Sequence, residues 1–110
     1  MTAEAEHAVP NEAAQEALRR LREDRGTRAE QLADLERSVE HLPPAEVEES
    51  AHTRMDNLRE ILKEIDGALQ RVADGTYGRC ERCAKDIPPG RLEILPHARF
   101  CVACQQRNAR

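Results

Sequence analysis

From Ala51 to Gly75 the chain reads AHTRMDNLREILKEIDGALQRVADG, and the spacing of its apolar residues decides the fold. Ala51, Met55, Leu58, Leu62, Ile65, Leu69 and Val72 follow one another in alternating steps of four and three. That rhythm lays a single apolar stripe along a helix, as in the seam of a coiled coil. The run stops at Asp74-Gly75, where glycine can take the left-handed conformation that closes a helix.

Upstream lies a second stripe: Leu18, Leu21, Leu32, Leu35, Val39 and Leu42. It keeps the same rhythm once Arg25 and Arg28 fill the two intervening seam positions. Asn11 is placed to cap this helix, and Glu12 to complement its dipole. Pro43-Pro44 is expected to end it, because a residue preceding proline is pushed away from helical dihedrals.

The two stripes are symmetrical about residue 45. Val39 then faces Ala51, Leu35 faces Met55, Leu32 faces Leu58, Leu21 faces Leu69, and Leu18 faces Val72. Such symmetry predicts an antiparallel helical hairpin, each arm roughly 45 Å long at about 1.5 Å per residue. The same register sets Arg28 against Leu62 and Arg25 against Ile65. A charged group on a seam must snorkel or find a carboxylate, and Asp24, Glu64 and Asp66 are within reach. With Gly26 alongside, this stretch reads as a tolerated polar break or as a hinge.

Composition agrees with a rod. The 110 residues include only two aromatics, Tyr77 and Phe100, while 35% are charged. Narrow aliphatic stripes suit that make-up better than a broad core. No stretch is long and apolar enough for a membrane span, and Met1 to Pro10 lacks a signal-peptide pattern. Residues 1–10 are expected to form a flexible tail, and the protein to be cytoplasmic. Charge is divided along the chain. Residues 1–74 hold 18 acidic and 10 basic side chains, a balance of −8; residues 75–110 hold 3 and 7, a balance of +4.

The basic end carries all four cysteines, as Cys80-x-x-Cys83 and Cys101-x-x-Cys104 with residues 84–100 between them. Two thiolate pairs at that spacing predict one tetrahedral zinc. In a reducing compartment such pairs are metal ligands rather than disulfides. Four thiolates fill the coordination shell and leave no place for a catalytic water, so the zinc is structural. Ile87, Leu92, Ile94, Leu95, Phe100 and Val102 are too few to fold residues 75–110 alone, and metal binding supplies the deficit. Arg79, Arg82 and Lys85 are placed to offset the charge of the site. A redox enzyme would need a βαβ context that is not visible, and the symmetric pairs suit zinc better than an iron–sulfur cluster. His97 is expected to be a surface residue, or a spare ligand; His41 and His52 to be solvated helix positions. With no nucleophile–base pair and no glycine-rich phosphate loop, the chain is not expected to be an enzyme.

The run Asp66-Gly67-Ala68-Leu69, with Gly75-Thr76-Tyr77-Gly78-Arg79-Cys80-Glu81-Arg82-Cys83, resembles the DksA/TraR C4-type zinc-finger family. Ile87-Pro88, Arg91-Leu92-Glu93, Leu95-Pro96, Ala98 and Cys101-x-x-Cys104-Gln105 continue the likeness, which runs from Ile65 to Arg110. The resemblance implies a mainly α protein with a long antiparallel coiled-coil hairpin over 11–74, turning near 43–46. A small four-cysteine zinc-finger module with a short C-terminal helix would follow over 75–110. It implies a bacterial transcription regulator that binds RNA polymerase directly, not DNA, with the hairpin tip in the polymerase secondary channel. Guanosine tetraphosphate would be a candidate effector within that complex. Where familiar members carry Asp-x-x-Asp-x-Ala at the tip, this chain has Glu46-x-x-Glu49-x-Ala51, which keeps acidity and spacing but not identity. The alternative reading is a zinc-bearing nucleic-acid or protein-interaction module, or a thiol sensor, without the tip activity.

Overall fold

The structure is a computed structural model that describes residues 11–108; the tail expected over 1–10 lies outside the described residues. Two long helices, α1 (Asn11–Val39) and α2 (Glu49–Asp74), form an antiparallel hairpin. Two short helices, α3 (Pro89–Ile94) and α4 (Val102–Asn108), belong to the cysteine-bearing end. Among the described residues there is no strand, only an isolated antiparallel bridge between Arg79 and Asp86. The mainly helical architecture read from the heptad pattern is the observed one. With α1 at 29 residues, about 44 Å of helix at 1.5 Å per residue, the rod accounts for most of the 56 Å long axis.

Arginines on the seam resolve as the sequence suggested. Arg25 donates from Nε to Asp66 at 2.5 Å across the hairpin, and Arg28 donates to Asp24 at 2.8 Å within α1. A third link, Arg59 to Glu36 at 3.1 Å, ties the arms nearer the tip. The Arg25–Asp66 pair falls within one residue of the register symmetric about residue 45.

One boundary differs. The stripe predicts helix through Leu42, but α1 ends at Val39. The cause is Pro43, which occupies the position whose N–H would bond the Val39 carbonyl and has none to give; Pro44 does the same to Glu40. The Val39 carbonyl accepts from Leu42 N at 2.9 Å instead, which tightens the end into a turn. Pro44–Glu46 then form a single 3-10 turn, and α2 starts at Glu49. At its far end Gly75 sits at φ +80°, with Thr76 N donating to Arg71 O at 2.9 Å and Gly75 N to Val72 O at 3.3 Å. That pair of bonds satisfies the last carbonyls of the helix.

The core lies at the open end of the hairpin. Leu21 and Ile65 are fully buried, together with Ala17, Ala68, Tyr77, Cys80, Ile87, Leu92 and Cys104. Ala17 and Ala68 are small, so the C-terminal module can settle against both helices at once. Toward the tip only Met55 and Leu58 are buried.

Candidate metal centre

Two loops bring the cysteines together. In the first, Cys80 N donates to Lys85 O at 2.8 Å, Ala84 N to Cys80 O at 2.9 Å, and Ile87 N to Gly78 O at 2.7 Å. This tight turn needs left-handed backbone at Gly78 (φ +93°) and, unusually for a residue with a Cβ, at Ala84 (φ +67°). In the second, Gln105 N donates to Cys101 O at 2.9 Å, so Cys104 rides on the first turn of α4. Glu81 N donating to Arg99 O at 2.9 Å holds the loops side by side.

All four Sγ atoms lie within 4.8 Å of one another. Cys83 and Cys101 are 3.9 Å apart, and none of the four is in a disulfide. Zinc–sulfur bonds of about 2.3 Å in a tetrahedron put sulfurs about 3.8 Å apart, so the set fits one structural zinc. When bound, such an ion cross-links the two loops and supplies no open coordination position. Cys80 and Cys104 are buried, while Cys83 and Cys101 are partly exposed.

The thiols are unequal in acidity. Burial raises the Cys80 pKa, yet backbone N–H groups of Cys101, Cys83 and Arg82 turned toward its sulfur prevail and bring it down to about 6. Cys101 is held low by the backbone N–H of Cys104. Cys104 is favoured as thiolate by Arg107, 3.3 Å from its sulfur, but burial and the neighbouring thiols push it up to about 11. Crowded sulfurs resist ionising together, and a divalent cation among them removes that conflict. Arg107 on α4 is thus the guanidinium that meets a sulfur. Arg79, Arg82 and Lys85 were the cations expected from the sequence, yet none donates to a cysteine sulfur among the described residues. The turn carries Arg82 and Lys85 outward to solvent.

A second set of contacts bolts the module to the rod. Arg71, in the last turn of α2, donates to Glu81 at 2.9 Å and to the Ala98 carbonyl at 3.3 Å. Arg99 reaches the other oxygen of Glu81 at 3.1 Å. Burial lowers the Arg71 pKa, opposed by the charge of Glu81. Arg20 of α1 donates to the Glu93 carbonyl at 2.6 Å, and the Tyr77 hydroxyl to the Pro96 carbonyl at 2.9 Å. His97 is not the surface residue expected: its ring is largely covered, with Nε2 at 3.6 Å from Glu64 and Nδ1 buried without a partner. It belongs to the seat between α2 and the module rather than to the sulfur cluster.

The tip residues are far from the metal centre, at the other end of the rod. Glu46 is exposed on the 3-10 turn, Glu49 is the exposed first residue of α2, and Ala51 is half-buried. The three tip glutamates do not share one helical turn: Pro44 nucleates a separate turn that carries Glu46, and Glu48 only flanks α2. His41 likewise lies in the turn rather than on a helix, and His52 donates from Nε2 to the Pro44 carbonyl at 3.4 Å. Nearby, Asp34 pairs with Arg37 and Glu36 with Arg59. Glu40, Glu46, Glu48 and Glu49 have no ion-pair partner among the described residues.

Comparison with known proteins places these features. Residues 75–108 match the sequence model of the prokaryotic dksA/traR C4-type zinc finger. General stress protein 16O of Bacillus subtilis is 51% identical over 47 residues, 43% of this chain and 29% of that protein. The RNA polymerase-binding transcription factor DksA of Caulobacter vibrioides is 44% identical over 55 residues, 50% of this chain and 39% of that protein. The matched part thus spans well under half the length of these relatives. The solved structure of transcription factor DksA2 from Pseudomonas aeruginosa superposes with a TM-score of 0.71 at 21% identity, covering 91% of this chain and 85% of that one. The chain therefore resembles the DksA/TraR C4-type zinc-finger family twice over, in sequence across its cysteine module and in fold across the hairpin and module together.

Proposed function

We propose that this chain is a DksA-like regulator that binds RNA polymerase in the bacterial cytoplasm. The hairpin, residues 11–74, is its probe and the module, residues 75–110, its anchor. Cys80, Cys83, Cys101 and Cys104 hold one structural zinc, and Glu46 and Glu49, with Ala51 behind them, form the effector tip in the polymerase secondary channel. The observation that carries this reading is the pairing of a dksA/traR-type zinc module with a long hairpin on one chain.

Charge supports the tip assignment. Four carboxylates without cationic partners at the end of a narrow rod would be drawn at long range into a basic, cation-bearing channel. Glu49 has a local role as well, since an acidic group at a helix start complements the dipole by a few tenths of a kcal/mol. Glu46 stands outside α2, so the dipole does not account for it. Any guanosine tetraphosphate effect is assigned to the complex rather than to the free chain. The cleft of about 280 Å³ between α2 and the module has its arginines, Arg71 and Arg99, already held by Glu81, and it is also lined by Glu60 and Glu64.

The second reading, a zinc-bearing interaction module without tip activity, rests on the glutamates standing where aspartates are familiar. In vitro transcription with the Glu46→Ala/Glu49→Ala variant separates the two. Loss of the effect on initiation with retained polymerase binding supports an active tip; an effect equal to wild type rules the tip mechanism out.

A further inference from the structure

Between the two buried ends of the hairpin lies a layer that is barely sealed. Fully buried Leu21 and Ile65 close the base, and Met55 and Leu58 are the buried residues toward the tip. On α1, no residue after Leu21 is fully buried, and Leu32, Leu35 and Val39 are only partly covered. The seam from Arg22 to Gln31 offers Arg25 and Arg28 where leucines would stand, with Gly26 alongside, and of the facing α2 residues Leu62 is only partly covered while Ile61 packs toward the base core. Arg25 and Asp66 are each about half exposed, so their bridge is screened by salt and contributes little. Gly26 meets nothing within 4 Å of where a Cβ would be, so it answers no packing need. It weakens α1 there by about 1 kcal/mol relative to alanine.

We propose that this polar layer divides the rod into two cooperative units. Residues 12–21 of α1 and 61–74 of α2 form a base locked to the zinc module, and residues 22–26 are the layer that Arg25 ties to it through Asp66. Residues 27–60 form a distal arm that opens and bends on its own. Opening the arm breaks the Arg25–Asp66 and Arg59–Glu36 bridges and uncovers Met55 and Leu58, but leaves Leu21, Ile65 and the metal centre untouched. The rod is then a compliant probe on a stiff mount, and its compliance rises modestly with ionic strength.

Hydrogen exchange of the zinc-loaded full chain, read by mass spectrometry at low and high salt, tests this. The division predicts a step at the polar layer, with amides of 27–60 exchanging at least about tenfold faster than those of 14–21 and 65–74. High salt widens the step. Asp66→Asn lowers protection of the distal arm alone, and Arg25→Leu/Gly26→Ala/Arg28→Leu reduces the step severalfold. A smooth gradient rising from base to tip would show ordinary end fraying and overturn the proposal. So would equal loss of protection in both halves of Asp66→Asn. Neither readout involves polymerase, so the result stands apart from the functional assignment.

Discussion

Arg71 and Glu81 are joined at 2.9 Å, the one from the last turn of α2 and the other from between the first two cysteines. The same guanidinium reaches the Ala98 carbonyl, just ahead of the second cysteine pair. One side chain thus clasps both halves of the module to the rod. With only 12% of it exposed, it is far better shielded than the other arginines of the surface ion pairs. Arg71→Ala is expected to cost about 2 kcal/mol, since a covered charge and a carbonyl lose their partner. Arg71→Lys should recover little, because an ammonium cannot span both acceptors. Arg99→Ala, removing the exposed member, should cost well under about 1 kcal/mol. Denaturant midpoints of the three zinc-loaded variants check the order.

Ala84 follows the second cysteine in left-handed backbone, φ +67°. Its Cβ is unfavourable there by about 1 kcal/mol. Ala84→Gly is therefore expected to raise stability by up to about 1 kcal/mol and to leave zinc stoichiometry unchanged. A loss of stability in thermal melts would mean that the turn is less constrained than its geometry implies.

Tyr77 is buried and donates to the Pro96 carbonyl. Burial raises its pKa, partly offset by Arg20 and Arg71. The sign follows: a raised folded-state pKa contributes stability below the unfolded value near pH 10, and this is lost as pH rises through and beyond it. At neutral pH, Tyr77→Phe should cost about 1 kcal/mol for the lost hydrogen bond. Above about pH 10 the gap between wild type and Tyr77→Phe should narrow, as the wild type alone must keep a phenol protonated. Paired urea titrations across that range measure it.

Removing the metal should be felt beyond the module. The buried face of Leu21 and Ile65 is completed by Cys80, Cys104, Ile87 and Leu92, all held in place by the cysteine loops. Structural zinc in small fingers is worth about 10–16 kcal/mol, more than a core this size can replace. Chelation of reduced protein is expected to lower helicity by circular dichroism and to restore it on adding zinc. Cys80→Ser and Cys104→Ser should behave like the chelated chain.

What the sequence disclosed depended on residue type. Leucines and isoleucines at coiled-coil spacing announced the hairpin, and the charged seam at Arg25 and Arg28 pointed to its own partners, Asp66 and Asp24. The paired cysteines announced the metal centre. Residues that act by being small or by reaching were silent. Ala17 and Ala68 are buried because the module needs room, yet alanine is neutral in any apolar pattern. Arg71 looks like a solvated helix arginine; its position three residues after Ala68, on the same face, was the available signal. His97 lay hidden for the same reason, since its covering surface comes from α2, distant in sequence. Leu42 kept the stripe's rhythm after the backbone had lost its donors at Pro43 and Pro44, so periodicity overran the true helix end.

The proposed function requires that this hairpin and its zinc-held base attach to RNA polymerase. The most direct measurement is equilibrium binding of the reduced, zinc-loaded chain to purified core RNA polymerase, beside the same chain after chelation and the Glu46→Ala/Glu49→Ala variant. Saturable binding by the loaded chain and by the tip variant, with marked weakening after chelation, is the predicted result. No binding by the loaded chain, or equal binding with and without zinc, would contradict it.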